Sequence, residues 1–228
     1  MSVRIQYKNQ LGIEIETICI LGSFSGYDAA KGKMHQEGEF WVYEAEFPPG
    51  EYYYKFLINE AFLLNDSFAN CYAPRRPEEK ELWSVLKIGL SGERLYFNAP
   101  TTVNVEEYFL SGVMTDEAVV EKRFFSTAID KKTVARFGFN NIQGIHSVTV
   151  LWCDSTRNVR EYTEQILCPE PNAQKAVIVW FWLDIKNLEQ PEGIWTMKLL
   201  IDGKYILEDK FQIGNAFSYS QDGKIKKY

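Results

Sequence analysis

Residues 40–58 read Phe-Trp-Val-Tyr-Glu-Ala-Glu-Phe-Pro-Pro-Gly-Glu-Tyr-Tyr-Tyr-Lys-Phe-Leu-Ile. In the first run the odd-numbered positions from Trp41 to Phe47 are apolar, which is the period-2 alternation of a strand with one buried face. Pro49 presets φ at a turn and Gly50 tolerates the positive φ that follows, so a second run can return beside the first. The stretch therefore predicts an antiparallel β-hairpin whose odd-numbered face lies in a core.

Short runs of the same kind, rich in aromatic and β-branched residues, fill most of the chain. In the first half the predicted strands cover residues 3–8, 17–22, 40–47, 52–58, 61–64 and 82–88. In the second half they cover residues 103–109, 118–125, 133–139, 146–152, 159–166, 177–185, 194–201 and 205–213. We therefore expect an all-β protein of two antiparallel immunoglobulin-like β-sandwich domains in tandem.

The length of the chain, 228 residues, suits two domains that each bury their own core. The strand pattern fades between Gly89 and Pro100, which is typical of a domain boundary. We place the first domain at 1–92, the second at 101–214 and a polar C-terminal tail at 215–228.

The clearest local signal in the second half is Asp202-Gly203, which lies between two runs of alternating apolar residues. An Asp-Gly pair in this position predicts a two-residue hairpin turn with positive φ at both residues. The segment from Gly193 to Ile213 resembles the last hairpin of bacterial immunoglobulin-like domains. That likeness implies a fold and carries no activity with it.

Three motifs follow one another in residues 3–90: a Gly-Ser-Phe loop, a Pro-Gly-x-Tyr-x-Tyr-Lys-Phe strand and a turn with an aromatic residue. The residues that carry the first two are Gly22, Ser23, Phe24, Pro49, Gly50, Tyr52, Tyr54, Lys55 and Phe56. This order resembles family 48 carbohydrate-binding modules, the family of the glycogen-binding domain of the AMP-activated protein kinase beta subunit and of isoamylase-type N-terminal domains. The resemblance implies a non-catalytic protein that binds an α-1,4-glucan such as glycogen or starch through its N-terminal domain.

The resemblance also implies where a sugar would lie, because members of this family stack glucose rings on aromatic faces. Tyr27 stands at the position of the family's first platform tryptophan, and Phe62 at the position of the second. Lys55 is kept, and strand alternation predicts that its side chain points to the exposed face. Glu81 and Trp83 stand where the family often has threonine and asparagine. These five residues form the predicted carbohydrate-binding site.

Four of these residues also have an ordinary structural interpretation, as a loop aromatic (Tyr27), a core residue (Phe62), a solvated charge (Lys55) or a contact with the second domain (Trp83). The alternative function is therefore an interaction or scaffold protein of two immunoglobulin-like domains, with a degenerate glucan module that binds nothing. Exposure of the three rings side by side would favour glucan binding. Their burial would favour the alternative.

A group of tryptophans in the second half, Trp152, Trp180, Trp182 and Trp195, is more typical of a core than of a ligand site. The run 177–183 is apolar on both faces, as in a central strand of a sandwich or a strand at an interface. If Trp180 and Trp182 share an exposed face, that face would be a patch for a protein partner or for a homodimer.

Composition narrows the classes of function. Acidic residues outnumber basic ones by 31 to 25, which argues against a nucleic-acid partner. No apolar run is long enough to cross a bilayer, and the N-terminus lacks the apolar segment of a secretion signal, so we expect a cytoplasmic protein without a membrane partner. The four cysteines, without CxxC spacing, are expected to be reduced thiols.

Catalytic sequence motifs are also missing. The chain has no nucleophile elbow, no glycine-rich phosphate loop and no pair of metal-binding histidines at helical spacing. We therefore expect no enzyme activity, no metal and no cofactor. The alternative is an accessory part of a glucan-active enzyme.

Overall fold

The structure, a computed structural model, describes residues 2–95, 102–114, 120–169 and 175–215, together with the backbone of 217–219 and 225–227. This part of the chain consists of strands, loops and two single-turn 3-10 segments, without an α-helix. The all-β prediction is therefore confirmed. Residues 96–101, which include part of the predicted domain boundary, lie outside the described residues.

Eight strands precede that boundary and form two sheets among themselves. They are β1 (Ser2–Lys8), β2 (Ile18–Gly22), β3 (His35–Glu37), β4 (Phe40–Glu46), β5 (Gly50–Ile58), β6 (Phe62–Leu64), β7 (Cys71–Ala73) and β8 (Trp83–Ile88). One sheet has the order β1-β4-β3 and the other β2-β5-β8-β7, with β6 paired to β5. The sequence did not predict β3 and β7, because three-residue strands with exposed or half-exposed side chains leave no buried face to read.

The described residues of the second sandwich form eight further strands. They are β9 (Asn104–Ser111), β10 (Phe124–Ser126), β11 (Lys132–Asn140), β12 (His146–Cys153), β13 (Val159–Leu167), β14 (Val177–Asp184), β15 (Gly193–Ile201) and β16 (Lys204–Gly214). The sheets β14-β11-β9 and β10-β16-β15-β12-β13 share one core, which is the strand division of an immunoglobulin-like sandwich. In the tail, β17 (Phe217–Tyr219) pairs with β18 (Ile225–Lys227).

The two runs of residues 40–58 form β4 and β5, but these strands lie in different sheets. The odd-numbered face of β4 packs on the first core as expected, with Phe47 buried and Trp41, Tyr43 and Ala45 half-buried. The expectation that β4 and β5 pair directly is wrong. β4 pairs with β1 instead, so Pro48-Pro49 crosses from one sheet of the sandwich to the other.

The predicted turn in the second sandwich is confirmed. Ile201 pairs with Lys204 across a two-residue loop, in which φ is 53° at Asp202 and 73° at Gly203. The run 177–183 forms β14, which is an edge strand and not the central strand that was one of its two interpretations. Its second apolar face packs on side chains of β11 and stays partly open to solvent.

The two sandwiches share apolar contacts although they share no sheet. The first core contains Leu151, Cys153 and Leu200, which all belong to strands of the second sandwich. The outer side of sheet β10-β16-β15-β12-β13 therefore packs against the first sandwich.

Candidate functional site

Four of the five residues predicted to bind carbohydrate lie together on the outer side of sheet β2-β5-β8-β7. The rings of Tyr27 and Trp83 meet edge to face, with centroids 5.5 Å apart. The ammonium of Lys55 lies 5.2 Å from the Trp83 ring and 3.5 Å from a carboxylate oxygen of Glu81. The sequence thus identified a real cluster of Tyr27, Lys55, Glu81 and Trp83, which we call the closed face.

Phe62 does not belong to this cluster, and the expectation of an exposed ring is wrong. It pairs with Ile58 across the β5-β6 ladder, and Ile58 points into the first core. Directly paired residues lie on the same side of a sheet, so Phe62 points into the core as well. Its exposed fraction is 2%, which leaves no surface on which a sugar can stack.

Trp83 is only 4% exposed because Arg75 covers it. The guanidinium carbon of Arg75 lies 3.9 Å from the centre of the Trp83 ring and 4.9 Å from that of Tyr27. Glu79 accepts three hydrogen bonds from the guanidinium, of 2.6, 2.9 and 3.2 Å, which fix its position. The stretch 73–80, which looks like an ordinary solvated loop in the sequence, therefore occupies the ring face that would hold glucose.

Lys55 was expected on an exposed face, and that expectation is wrong. Its exposed fraction is 1%, and its ammonium donates a 2.8 Å hydrogen bond to Glu164 on β13 of the second sandwich. The other carboxylate oxygen of Glu164 accepts a hydrogen bond from the backbone N–H of Leu82 at 3.0 Å. Burial raises the pKa of the Glu164 carboxyl, and the Lys55 charge opposes that rise. Lys55 lies on the predicted side of its strand, but the second sandwich covers that side.

A second contact between the sandwiches is made by the tip of the β15-β16 hairpin. A Cβ atom added to Gly203 would lie 1.9 Å from the carbonyl oxygen of Asn65, so only glycine fits there. The Tyr72 hydroxyl lies 2.8 Å from the carbonyl oxygen of Asp66 and 3.1 Å from that of Asp202. The turn is thus packed against the segment 65–67 of the first sandwich.

The base of this turn is held by a buried ion pair. One carboxylate oxygen of Asp202 lies 2.7 Å from Nδ1 of His146, and the other accepts the backbone N–H of Ser147 at 2.9 Å. The hydrogen bond with Asp202 raises the pKa of His146, and desolvation opposes this change. The hairpin tip is therefore held by groups of its own sandwich as well as by its contact with the other one.

The segment Asn65-Asp66-Ser67, which follows β6, is part of a buried hydrogen-bond network. Asp66 accepts a 2.6 Å hydrogen bond from the Tyr54 hydroxyl, and its backbone N–H donates to Ser84 Oγ at 2.7 Å. Ser84 in turn donates to the Asn65 side chain at 3.0 Å. Burial raises the pKa of Asp66, against the effect of the Tyr54 hydrogen bond. These groups hold the 65–67 segment in place under Gly203.

The outward tryptophans of the second sandwich lie on sheet β14-β11-β9, which we call the open face. Trp182 is 40% exposed, with the Lys132 ammonium 5.4 Å from its ring, and Trp180 is half-buried beside the Arg136 guanidinium at 5.3 Å. Phe181, between them, is buried in the core, as strand alternation predicts. Trp152 and Trp195 are buried in the same core, as expected.

The residues that the sequence did not identify are Arg75, Glu164 and Gly203 in its interface role. Glu164 meets Lys55 across 109 positions of sequence, and no local pattern marks it. Among the described residues there is no group of three metal-ligating side chains. No helix in the described ranges is long and apolar enough to span a membrane.

Comparisons with known proteins give no family and distant structural similarities. No family profile and no curated protein matches the chain. An immunoglobulin-like protein of Pseudomonas aeruginosa is similar at 13% identity and a TM-score of 0.36, over 51% of this chain and 99% of that protein. The dimeric latent PorU of Porphyromonas gingivalis is similar at 8% identity and a TM-score of 0.35, over 94% of this chain and 18% of PorU. A DUF3823 family protein of Parabacteroides merdae is similar at 10% identity and a TM-score of 0.27, over 92% of this chain and 98% of that protein.

Proposed function

We propose that this protein is a non-catalytic interaction module of two immunoglobulin-like sandwiches, whose first domain is a family 48-like glucan module with its binding face closed. The observation that carries the proposal is the burial of Lys55, whose ammonium pairs with Glu164 of the second sandwich. A sugar on this face would have to displace both that ion pair and Arg75. In the molecule as it stands, the closed face joins the two sandwiches.

The open face offers the contact surface that an interaction module needs. An exposed tryptophan next to cationic groups is typical of protein interfaces, where aromatic and arginine side chains contribute most of the binding energy. We propose a protein partner or a second copy of the chain as its occupant. The proposal gives the chain no nucleic-acid or membrane partner and a cytoplasmic location.

Electrophoresis in a gel containing glycogen, run against a glucan-free gel, tests the closed face. The wild-type chain should migrate equally in both gels. Sedimentation of the wild type and of Trp182→Asp then tests the open face, because a polar side chain at this position should weaken any self-association without affecting migration in glycogen. If the wild type is retarded by glycogen, the interaction proposal loses its main support.

One observation favours glucan binding as a second candidate function. Tyr27 keeps 36% of its surface exposed, and Glu81 of the same face has a side chain that is 56% exposed. If these two residues bind a glucan chain end, Tyr27→Ala should abolish retardation in the glycogen gel. Trp182→Ala should leave it intact.

A further inference from the structure

A cleft of about 540 Å³ lies between the two sandwiches, away from the closed face and the open face. One wall is the β1-β2 connection at 10–12, and the other is the outer side of β15 and β16 with the loop that follows Cys153. Small-molecule sites have volumes of a few hundred to about 1,000 Å³ and often lie between domains. The cleft therefore has the size and position of a ligand site.

The electrostatics of the lining favour an anion. Asp154 is fully engaged, since its carboxylate accepts from Thr156, Asn158 and Arg160. Glu208 is paired with the nearly buried ammonium of Lys198.

Two cationic side chains at the mouth of the cleft differ from these acidic groups in their pairing. Arg157 and Lys210 also line the cleft, both are exposed, and neither forms an ion pair within the described residues. Because the acidic groups of the lining are already neutralised, these two side chains leave the mouth of the cleft positive. A carboxylate or phosphate would be attracted to it.

The neutral part of the lining can bind hydroxyl groups. The side chains of Gln10, Ser155 and Thr196 make no hydrogen bond to other described parts of the protein, and each carries a donor and an acceptor. Ile194 and Tyr205 supply an apolar surface beside them. Polar groups spaced along such a wall match a small molecule with a carbon skeleton and several hydroxyls.

We infer that this cleft binds a small hydroxylated organic anion, of the chemical class of sugar phosphates and sugar acids. Arg157 and Lys210 hold the anionic group, and the side chains of Gln10, Ser155 and Thr196 hold the hydroxyls. This site does not depend on whether the closed face binds a glucan. The cleft lies along β15 and β16, whereas Glu164 lies on β13 at one edge of the same sheet. Both sites can therefore be tested in one molecule.

Calorimetric titration of the full chain tests the inference with four probes: glucose 6-phosphate, gluconate, inorganic phosphate and neutral glucose. At least one of the two hydroxylated anions should bind saturably with a dissociation constant on the order of 10 µM to 1 mM, and glucose should not. Inorganic phosphate should bind more weakly, because it lacks the skeleton that contacts the hydroxyl-binding wall. Phosphate binding as tight as that of the best hydroxylated anion would overturn the assignment of a sugar-like ligand.

Variants locate the binding. Arg157→Gln combined with Lys210→Gln should weaken it about tenfold or more, because both charges at the mouth are lost. Lys31→Gln removes one charge from a side chain that is 70% exposed and does not line the cleft, and it should leave affinity within about twofold. Thr196→Trp keeps every charge and fills the cleft, so it should abolish binding. The melting temperature of each variant verifies that it is folded.

Three results would overturn the inference. The first is the absence of saturable binding by either hydroxylated anion up to about 10 mM, which is weaker than any affinity expected of such a site. The second is wild-type affinity in the Arg157/Lys210 double variant or in Thr196→Trp. The third is an equal loss in Lys31→Gln and the double variant, which would show attraction by overall charge only.

Discussion

The closed face of the first sandwich and the open face of the second have the same chemistry and different surroundings. Each presents a tryptophan beside a cation on the outer side of a sheet: Trp83 beside Lys55, and Trp182 beside Lys132. Trp83 is 4% exposed and Trp182 is 40% exposed. Strand alternation gives the side of a sheet on which a residue lies, but what covers that side is decided by segments far away in sequence.

Breaking the contact of the β15-β16 hairpin tip with the first sandwich should have the largest effect on stability. In Gly203→Ala the added methyl group meets the Asn65 carbonyl oxygen, in addition to the strain of a positive φ. We expect the free energy of unfolding to fall by about 3 kcal/mol or more. Denaturant unfolding followed by circular dichroism measures the loss.

Gly144→Ala is the matched control for this experiment. Gly144 has a φ of +86°, and a Cβ atom there would meet nothing within 4 Å. Only the backbone strain remains, which costs about 1 kcal/mol. Equal losses in the two variants would show that Gly203 acts through its turn alone and not through the contact with Asn65.

Removing the interface cation should have the next largest effect. Lys55→Ala leaves the Glu164 carboxylate buried without its partner, which costs about 3 kcal/mol. Lys87→Ala, on neighbouring β8, removes a partly exposed pair with Glu51 and should cost less than about 1 kcal/mol.

A double variant separates the ion pair from simple packing. Combining Lys55→Met with Glu164→Leu should recover most of the stability lost in Lys55→Ala, because no charge remains buried. If Lys55→Ala and Lys87→Ala lower the free energy of unfolding by the same small amount, Lys55 is solvated and the closed face is open to solvent.

The ion pair at the base of the hairpin predicts a pH dependence. The pKa of His146 is raised in the folded state. The stabilisation that its pair with Asp202 gives the folded protein is therefore complete below the ordinary histidine pKa of about 6.5, and it is lost as pH rises through the raised value. Between about pH 6 and pH 8 the melting temperature of the wild type should fall by on the order of 2 °C more than that of His146→Gln. Parallel curves for the two proteins would contradict the pair.

Uncovering the tryptophan should have the smallest effect on stability. Arg75→Ala removes a cation from above Trp83, at a cost of about 1 kcal/mol. Acrylamide should then quench tryptophan fluorescence more efficiently. In a Trp83→Phe background, Arg75→Ala should leave quenching unchanged, and a rise there would place the newly exposed ring elsewhere.

The sequence predicted those parts of the fold that local patterns determine. Asp202-Gly203 specified its turn, and the alternation in β5 put Lys55 on the correct side. Pairing between strands was less predictable, since the connection after Phe47 crosses between sheets and was expected to form a hairpin within one sheet.

The candidate site was predicted only in part. Tyr27, Lys55, Glu81 and Trp83 do converge, whereas Phe62 follows the register of the β5-β6 ladder into the core. Arg75 and Glu164 lie on a loop and on a distant strand, and their roles arise only when the two sandwiches pack. A contact between segments so far apart leaves no periodic pattern in the sequence, so it cannot be predicted from a single chain.

Chemical footprinting of lysines tests the central claim most directly. Reductive methylation of the native protein, followed by peptide mass spectrometry, compares Lys55 with Lys31 and Lys87, whose side chains are 2%, 70% and 32% exposed. We predict that Lys31 and Lys87 are methylated while Lys55 stays unmodified until the protein is denatured. Methylation of native Lys55 at the rate of Lys31 would show that the face is open to solvent and would contradict the account.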